Sequence, residues 1–142
     1  MKLQSLPCYC ATLRQAARAA TALYESALAG SGLHVTQFTV LQALKLGPGL
    51  TTTELADLIG IDQTTATRTL ALVHKAGLIA SRTGEDRRER RWNLTASGES
   101  MVRKLQPKWE SVQAAVEQRL GRNEARALKL ASFQAAVKLA PE

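Results

Sequence analysis

Gln63, Thr64, Thr65, Thr67 and Arg68 crowd into one short stretch of the chain. Their side chains share a chemistry. An amide such as Gln pairs two atoms of an adenine edge, and Arg forks onto guanine or phosphate. Thr brings a hydroxyl and a methyl that can meet thymine. A helix starting here would add free N–H groups suited to phosphate. Further on, Arg82, Arg87, Arg88, Arg90 and Arg91 are interleaved with Glu85, Asp86 and Glu89, a net charge of only +2. This is not a featureless basic patch. Residues two apart in a strand share a face, so Asp86 is placed to hold and aim Arg88. An aimed arginine suits a narrow minor groove, where the potential is most negative.

Blander readings exist for both groups: a solvated polar helix face, and an ordinary charged hairpin with cross-strand pairs. Four threonines fall between positions 64 and 69. Thr is a mediocre helix former, and selection for propensity would have supplied Glu, Lys or Ala.

The elements that must position these residues follow from periodicity and caps. Ala66, Leu70 and Val73 recur at core spacing, which predicts a helix over 63–76, capped by Asp62 and closed by Gly77. Ahead of it, Thr51 and Glu54 form a capping-box pattern for a short helix with Leu55, Leu58 and Ile59 inward and Gly60 at its end. Residues 78–82 and 91–94 read as short strands around a Gly84 turn. A helix pair of this kind seats its second helix in a major groove, and a basic loop behind it reaches backbone or minor groove.

Around this lobe the spacing predicts more helix. Residues 8–29 carry Leu13, Ala17, Ala20, Tyr24 and Leu28 at helical spacing, between Pro7 and Gly30. Residues 36–46 follow, with Thr36 as cap and Phe38, Leu41 and Leu44 on one face. Gly47, Pro48 and Gly49 break the chain. Thr95 caps a long helix to about residue 119 with Pro107 inside it, and Gly121 ends that helix. Asn123 caps a last helix to about Leu139, striped by Ala127, Leu130, Phe133 and Val137.

The 142 residues are 45% hydrophobic, enough for one domain with a core. A formal net charge of +7 and a pI near 9.9 favour a polyanionic partner. No run of about 18 apolar residues exists, so no membrane span is expected. The N-terminal stretch lacks the apolar core of a signal peptide, and a cytoplasmic protein is expected. No P-loop, dinucleotide fingerprint, HExxH or nucleophile elbow appears, which argues against an enzyme, and no cofactor is implied. His34 and His74 stand at no ligand spacing from the two cysteines, so no metal site is expected.

In sequence order, GLHVTQFTVLQAL, LTTTELADLIGIDQTTATRTLALVHKAGLI, EDRRERRWNLTASGE and KLQPKWESV make the chain similar to the multiple-antibiotic-resistance regulator (MarR) family of winged helix-turn-helix transcription factors. The resemblance covers roughly residues 10–120. It implies a mainly α fold with a small β-wing. A DNA-binding lobe at 33–95 would lie between dimerisation helices at 1–30 and 96–142. The implied partners are a second copy of the chain and double-stranded DNA, with two lobes on a pseudo-palindromic operator. Most such proteins repress genes and release DNA on binding a small ligand or on oxidation. Carried onto matching positions, recognition-helix contacts fall on Gln63, Thr64, Thr65, Thr67 and Arg68. The wing arginine falls on Arg88 with Asp86 as its partner, and phosphate contacts fall on Arg87, Arg90 and Thr36. Thr69 and Ala71 are small in a Thr-rich helix, so base preference does not transfer from relatives.

A homodimer also has support from the residues. Leu3, Leu6, Leu105, Trp109, Val112, Val116, Leu128, Phe133 and Val137 are more apolar surface than a small lobe covers. For sensing, the preferred site is a small-molecule pocket drawing on Tyr9, Leu13, Arg14, Arg18, His34, Phe38 and Trp109. Arg14 and Arg18, four apart on one helix, form a pair able to hold a carboxylate. The alternative is a redox sensor at Cys8 or Cys10, because a helix N-terminus favours the thiolate, although many cysteines are simply small buried hydrophobes. Residues two apart on a helix diverge, so a bridge between subunits or a sulfenic acid fits better than a Cys8–Cys10 bond. A third class, a winged-helix module for protein contacts, would keep the fold and shed the exposed donors at 63–68 and 87–90.

Overall fold

A computed structural model describes residues 2–141. Helix α1 (Tyr9–Leu28) begins just after Pro7, with Cys8 as N-cap. Helix α2 (Val35–Leu46) follows a turn in which Gly30 holds φ +82°. The expected cap Thr36 lies inside the first turn of α2, and His34 takes the cap position. The reason is a long-range contact. Glu25 of α1 accepts the Val35 N–H at 2.9 Å, while Gln37 accepts the His34 N–H at 3.0 Å. These orphan donors are satisfied without a threonine hydroxyl.

Strand β1 (Leu50–Thr51) leads directly into α3 (Thr52–Ile59). The capping box is present: Thr51 Oγ1 accepts from Glu54 N at 3.1 Å, and Glu54 Oε2 accepts from Thr51 N at 2.8 Å. Leu55 and Ala56 are buried, whereas Leu58 is 63% exposed. In this single short helix the core stripe runs through Leu55, Ala56 and Ile59, and Leu58 falls off its edge. Helix α4 (Gln63–Lys75) buries Ala66, Thr69, Leu70 and Val73.

Strands β2 (Ile79–Thr83) and β3 (Arg90–Leu94) pair antiparallel with Ile79 opposite Leu94 and Thr83 opposite Arg90. The sheet order is β1-β3-β2. β1, two residues long, is too short to show the alternation that reveals strands. The wing turns through residues 84–89, closed by the Gly84 N–H donating to the Glu89 carbonyl at 2.9 Å.

Thr95 caps α5 (Ala96–Leu120), which runs unbroken through Pro107. Gly98 sits in its first turn because a Cβ there would stand 2.0 Å from the Leu78 carbonyl oxygen. That close approach ties α5 to the root of the wing. The final helix α6 (Arg122–Lys138) is entered through Gly121, at φ +94°, and not through Asn123, which lies within the first turn. A glycine in the left-handed region makes the corner between α5 and α6 unaided.

The main core joins α2, α3, α4, the sheet and α5 through Leu41, Leu44, Leu55, Leu70, Ile79, Trp92 and Val102. A second cluster of Leu28, Phe38 and Leu105 joins α1, α2 and α5. Leu105 and Val112, expected to need a partner, are therefore buried within one subunit. Tyr24 of α1 bonds to Gln113 of α5, and burial pushes its phenol pKa up. By contrast α6 buries no residue, and Leu128, Leu130, Phe133 and Val137 are exposed. Among the described residues no helix is long and apolar enough to cross a membrane.

Candidate nucleic-acid interface

Asp62 sets the start of α4. Its Oδ1 accepts from Thr65 N at 2.7 Å. Hydrogen bonds from the Thr65 amide, and then from its side chain, hold the carboxyl below the usual aspartate range. With the inner stripe in the core, Gln63, Thr64, Thr67 and Arg68 are exposed at the N-terminal end and Thr65 is half-buried. The Thr67 hydroxyl donates to the Gln63 carbonyl at 2.9 Å, which leaves its methyl and its acceptor lone pairs for a partner.

In the wing, Asp86 does not hold the Arg88 guanidinium. Its Oδ1 accepts the main-chain N–H of Arg88 at 3.0 Å, and its carbonyl accepts from Glu89 N at 2.9 Å. Residues 84–89 form a turn and not a strand, so the two-apart rule for a strand face does not apply. The aspartate shapes the loop through an Asx-type contact. Arg87 and Arg88 are exposed, and among the described residues neither meets a carboxylate at ion-pair distance.

Gln63 and Thr67 of α4 face Arg88 and Arg90 of the wing across a trough of about 600 Å³, with the start of α3 as its floor. Glu54, Asp86 and Glu89 also line it. Each of these acids is engaged internally: Glu54 with Thr51, Asp86 with the Arg88 amide, and Glu89 with Arg91 at 3.3 Å. Arg91 also donates to the Gly49 carbonyl at 3.0 Å, clasping the wing to the turn before β1. Each acid thus has a structural contact within the chain, and Gln63, Arg88 and Arg90 bring donors to the trough. Thr36, on α2, does not line it.

Sequence reasoning missed Trp92. It is 3% exposed, its Nε1 donates to Thr52 Oγ1 at 3.0 Å, and Arg90 Cζ lies 5.4 Å from its ring centre. The spacing Arg90-x-Trp92 in a strand was the available signal, since both side chains share a face.

The expected effector residues do not form one pocket within the subunit, although Phe38 and Trp109 pack in one cluster. Phe38 is 2% exposed core; Tyr9, Leu13, Arg14 and Arg18 are exposed along α1. His34 faces Glu25 at 3.2 Å. Trp109 alone lines a cleft of about 470 Å³ between α2, α3 and α5, with Gln42, Lys45, Leu46, Leu58 and Gln106. Both cysteines are exposed. Cys8 Sγ accepts from the Ala11 amide at 3.5 Å, and Cys10 Sγ from Arg14 at 3.4 Å. No group of three metal-ligating side chains occurs among the described residues.

The MarR family model matches residues 31–89. The transcriptional regulator MosR of M. tuberculosis is 36% identical over 94% of this chain and 98% of its own, with a TM-score of 0.79. The chain belongs to the MarR family. A second structure of MosR, in complex with DNA, is similar at 38% identity over 90% of this chain and 98% of that one, with a TM-score of 0.73. Bordetella bronchiseptica BpsR, described by regulation of its DNA binding by 6-hydroxynicotinic acid, shares the fold at TM-score 0.81 and 21% identity, covering 96% and 98% of the two chains. No curated protein matches the chain in sequence. As a MarR-family member it is a DNA-binding transcriptional regulator with a winged helix, and the geometry above is where that binding is to be sought.

Proposed function

We propose that two copies of this chain bind a pseudo-palindromic operator as a repressor, each with α4 in a major groove and its wing in the adjoining minor groove. One observation carries this reading: α4 and the wing flank a single trough whose acids are each engaged within the chain, while neither Arg88 nor Arg90 pairs with a carboxylate among the described residues. A phosphodiester strand separates a major groove from the next minor groove. A protein that fills both must straddle that strand, and a trough that offers arginines unpaired with carboxylates is a surface suited to it. Gln63, Thr64, Thr65, Thr67 and Arg68 then meet bases and phosphates, Arg88 the minor groove, and Arg87 and Arg90 the backbone. The MosR–DNA complex, a relative at 38% identity, supports DNA as the partner.

Dimerisation is supported by α6, whose Leu128, Leu130, Phe133 and Val137 are exposed together with Leu3, Leu6 and Tyr9 near the N-terminus. A monomer rarely leaves so much apolar surface uncovered. Residues 33–95 form the reading lobe, and the flanking helices join the copies. The expected place of action is the cytoplasm. For the effector, the cleft beside Trp109 suits a small apolar body, and Lys45 at its edge suits a carboxylate. The Arg14–Arg18 pair lies elsewhere.

A second mode of release, oxidation, is favoured by the two exposed thiols in and before the first turn of α1, one of them in contact with Arg14. A peroxide would take one thiol to a sulfenic acid and leave as water or an alcohol. Condensation with a thiol of the partner subunit would then release water and form a disulfide.

Selection of duplexes from a random pool tests the reading. It predicts two inverted half-sites about one helical turn apart. Recovery of no preferred sequence at low salt, with the protein bound to none of the pool, would leave a winged helix used for protein contacts.

A further inference from the structure

Trp92 joins the wing to both helices of the reading lobe. Its Nε1 donates to Thr52 Oγ1 at 3.0 Å, and its main-chain carbonyl accepts from Gly49 N at 2.9 Å. The His74 ring of α4 meets it edge-on, with centroids 5.6 Å apart at 70°. Arg90 Cζ stands over the ring at 5.4 Å. Among the described residues no carboxylate lies at ion-pair distance from Arg90, so the indole is the group that holds it. Arg90 lines the trough beside Thr67 and Arg88.

We propose that Trp92 is a positioning residue for DNA binding. Its ring holds the Arg90 guanidinium at the seam between α4 and the wing, set for a phosphate of the strand that passes there. This inference rests on the DNA-binding reading above. An unrestrained arginine loses rotamer freedom when it meets a phosphate. A ring whose electron-rich face already holds the cation removes that loss before contact, and without the ring the loss offsets the gain so that the contact is not kept. Because Trp92 is itself fixed to α3, α4 and β1, the position of Arg90 is set by the whole lobe rather than by the wing loop.

The test is a double-mutant cycle read by affinity and salt slope on a duplex that the wild-type protein binds. Arg90→Ala is expected to weaken binding about three- to tenfold and to lower the salt slope by about 1 per subunit. Trp92→Leu keeps every charge, yet is expected to lower the slope by about the same amount. Adding Arg90→Ala to it should cost nothing further. Trp92→Phe, with a weaker ring quadrupole, should fall between wild type and Trp92→Leu.

If Trp92→Leu lacks a cooperative thermal transition, Trp92→Phe alone and combined with Arg90→Ala makes the same comparison, with losses that again do not multiply. Weaker binding at an unchanged salt slope, losses that multiply, or an Arg90→Ala protein that binds like wild type would each overturn the proposal. Wild-type protein that shows no salt-dependent binding to any duplex would overturn the DNA-binding reading and this inference with it.

Discussion

Asp86 Oδ1 accepts the main-chain N–H of Arg88 at 3.0 Å, so the aspartate fixes the loop and leaves the guanidinium free. An amide oxygen can accept the same bond. Asp86→Asn is therefore expected to bind operator as well as wild type or better, since it also removes a negative charge near DNA. Asp86→Ala is expected to lose about three- to tenfold, the effect of one such hydrogen bond. Equilibrium titration of both variants on one duplex checks this. Equal losses in Asn and Ala would indicate that the carboxylate charge is what matters.

Asp62 caps α4 through Thr65, and its carboxyl pKa is lowered in the folded protein. The unfolded chain therefore binds more protons between the folded and the unfolded pKa, and stability rises with pH across that interval. The contribution is complete above the unfolded value near pH 4 and fades as pH falls through the lower, folded one. In thermal melts from pH 6 to pH 2.5, Asp62→Asn is expected to flatten this acid dependence. A wild-type and mutant gap that stays constant across the range would remove Asp62 from the acid response.

The parts of the site visible in sequence were the local ones. The stripe Ala66, Leu70 and Val73, the Asp62 cap and the Thr51–Glu54 box each depend on neighbours within a few residues, and all are present. What escaped depends on distant partners. Thr36 looked like a cap because the carboxylate that serves α2 comes from Glu25, on another helix. Trp92 looked like an ordinary strand residue because its partner Thr52 lies 40 positions away. Leu105 and Val112 read as unpartnered until α1 and α2 folded over α5. Arg14 and Arg18 stand four apart on α1 and are both exposed, but spacing says nothing of which cleft a helix faces.

Exposure of both thiols gives the redox reading a direct check. If Cys8 and Cys10 sense peroxide, the wild-type protein releases DNA on treatment while the Cys8→Ser/Cys10→Ser protein stays bound, and a thiol reductant restores wild-type binding. Gel mobility under non-reducing conditions shows whether the bridge joins two subunits. Equal release by both proteins would leave the cleft beside Trp109 as the remaining sensor.

The central claim is that α4 and the wing grip one duplex together. Its most direct test is the salt dependence of operator affinity for Arg87→Ala/Arg88→Ala, with the oligomeric state checked by sedimentation. Loss of two wing arginines per subunit is expected to weaken binding at least tenfold and to lower the salt slope by up to about 2 per subunit, with assembly unchanged. A double mutant that assembles normally and keeps wild-type affinity and salt slope would contradict the account.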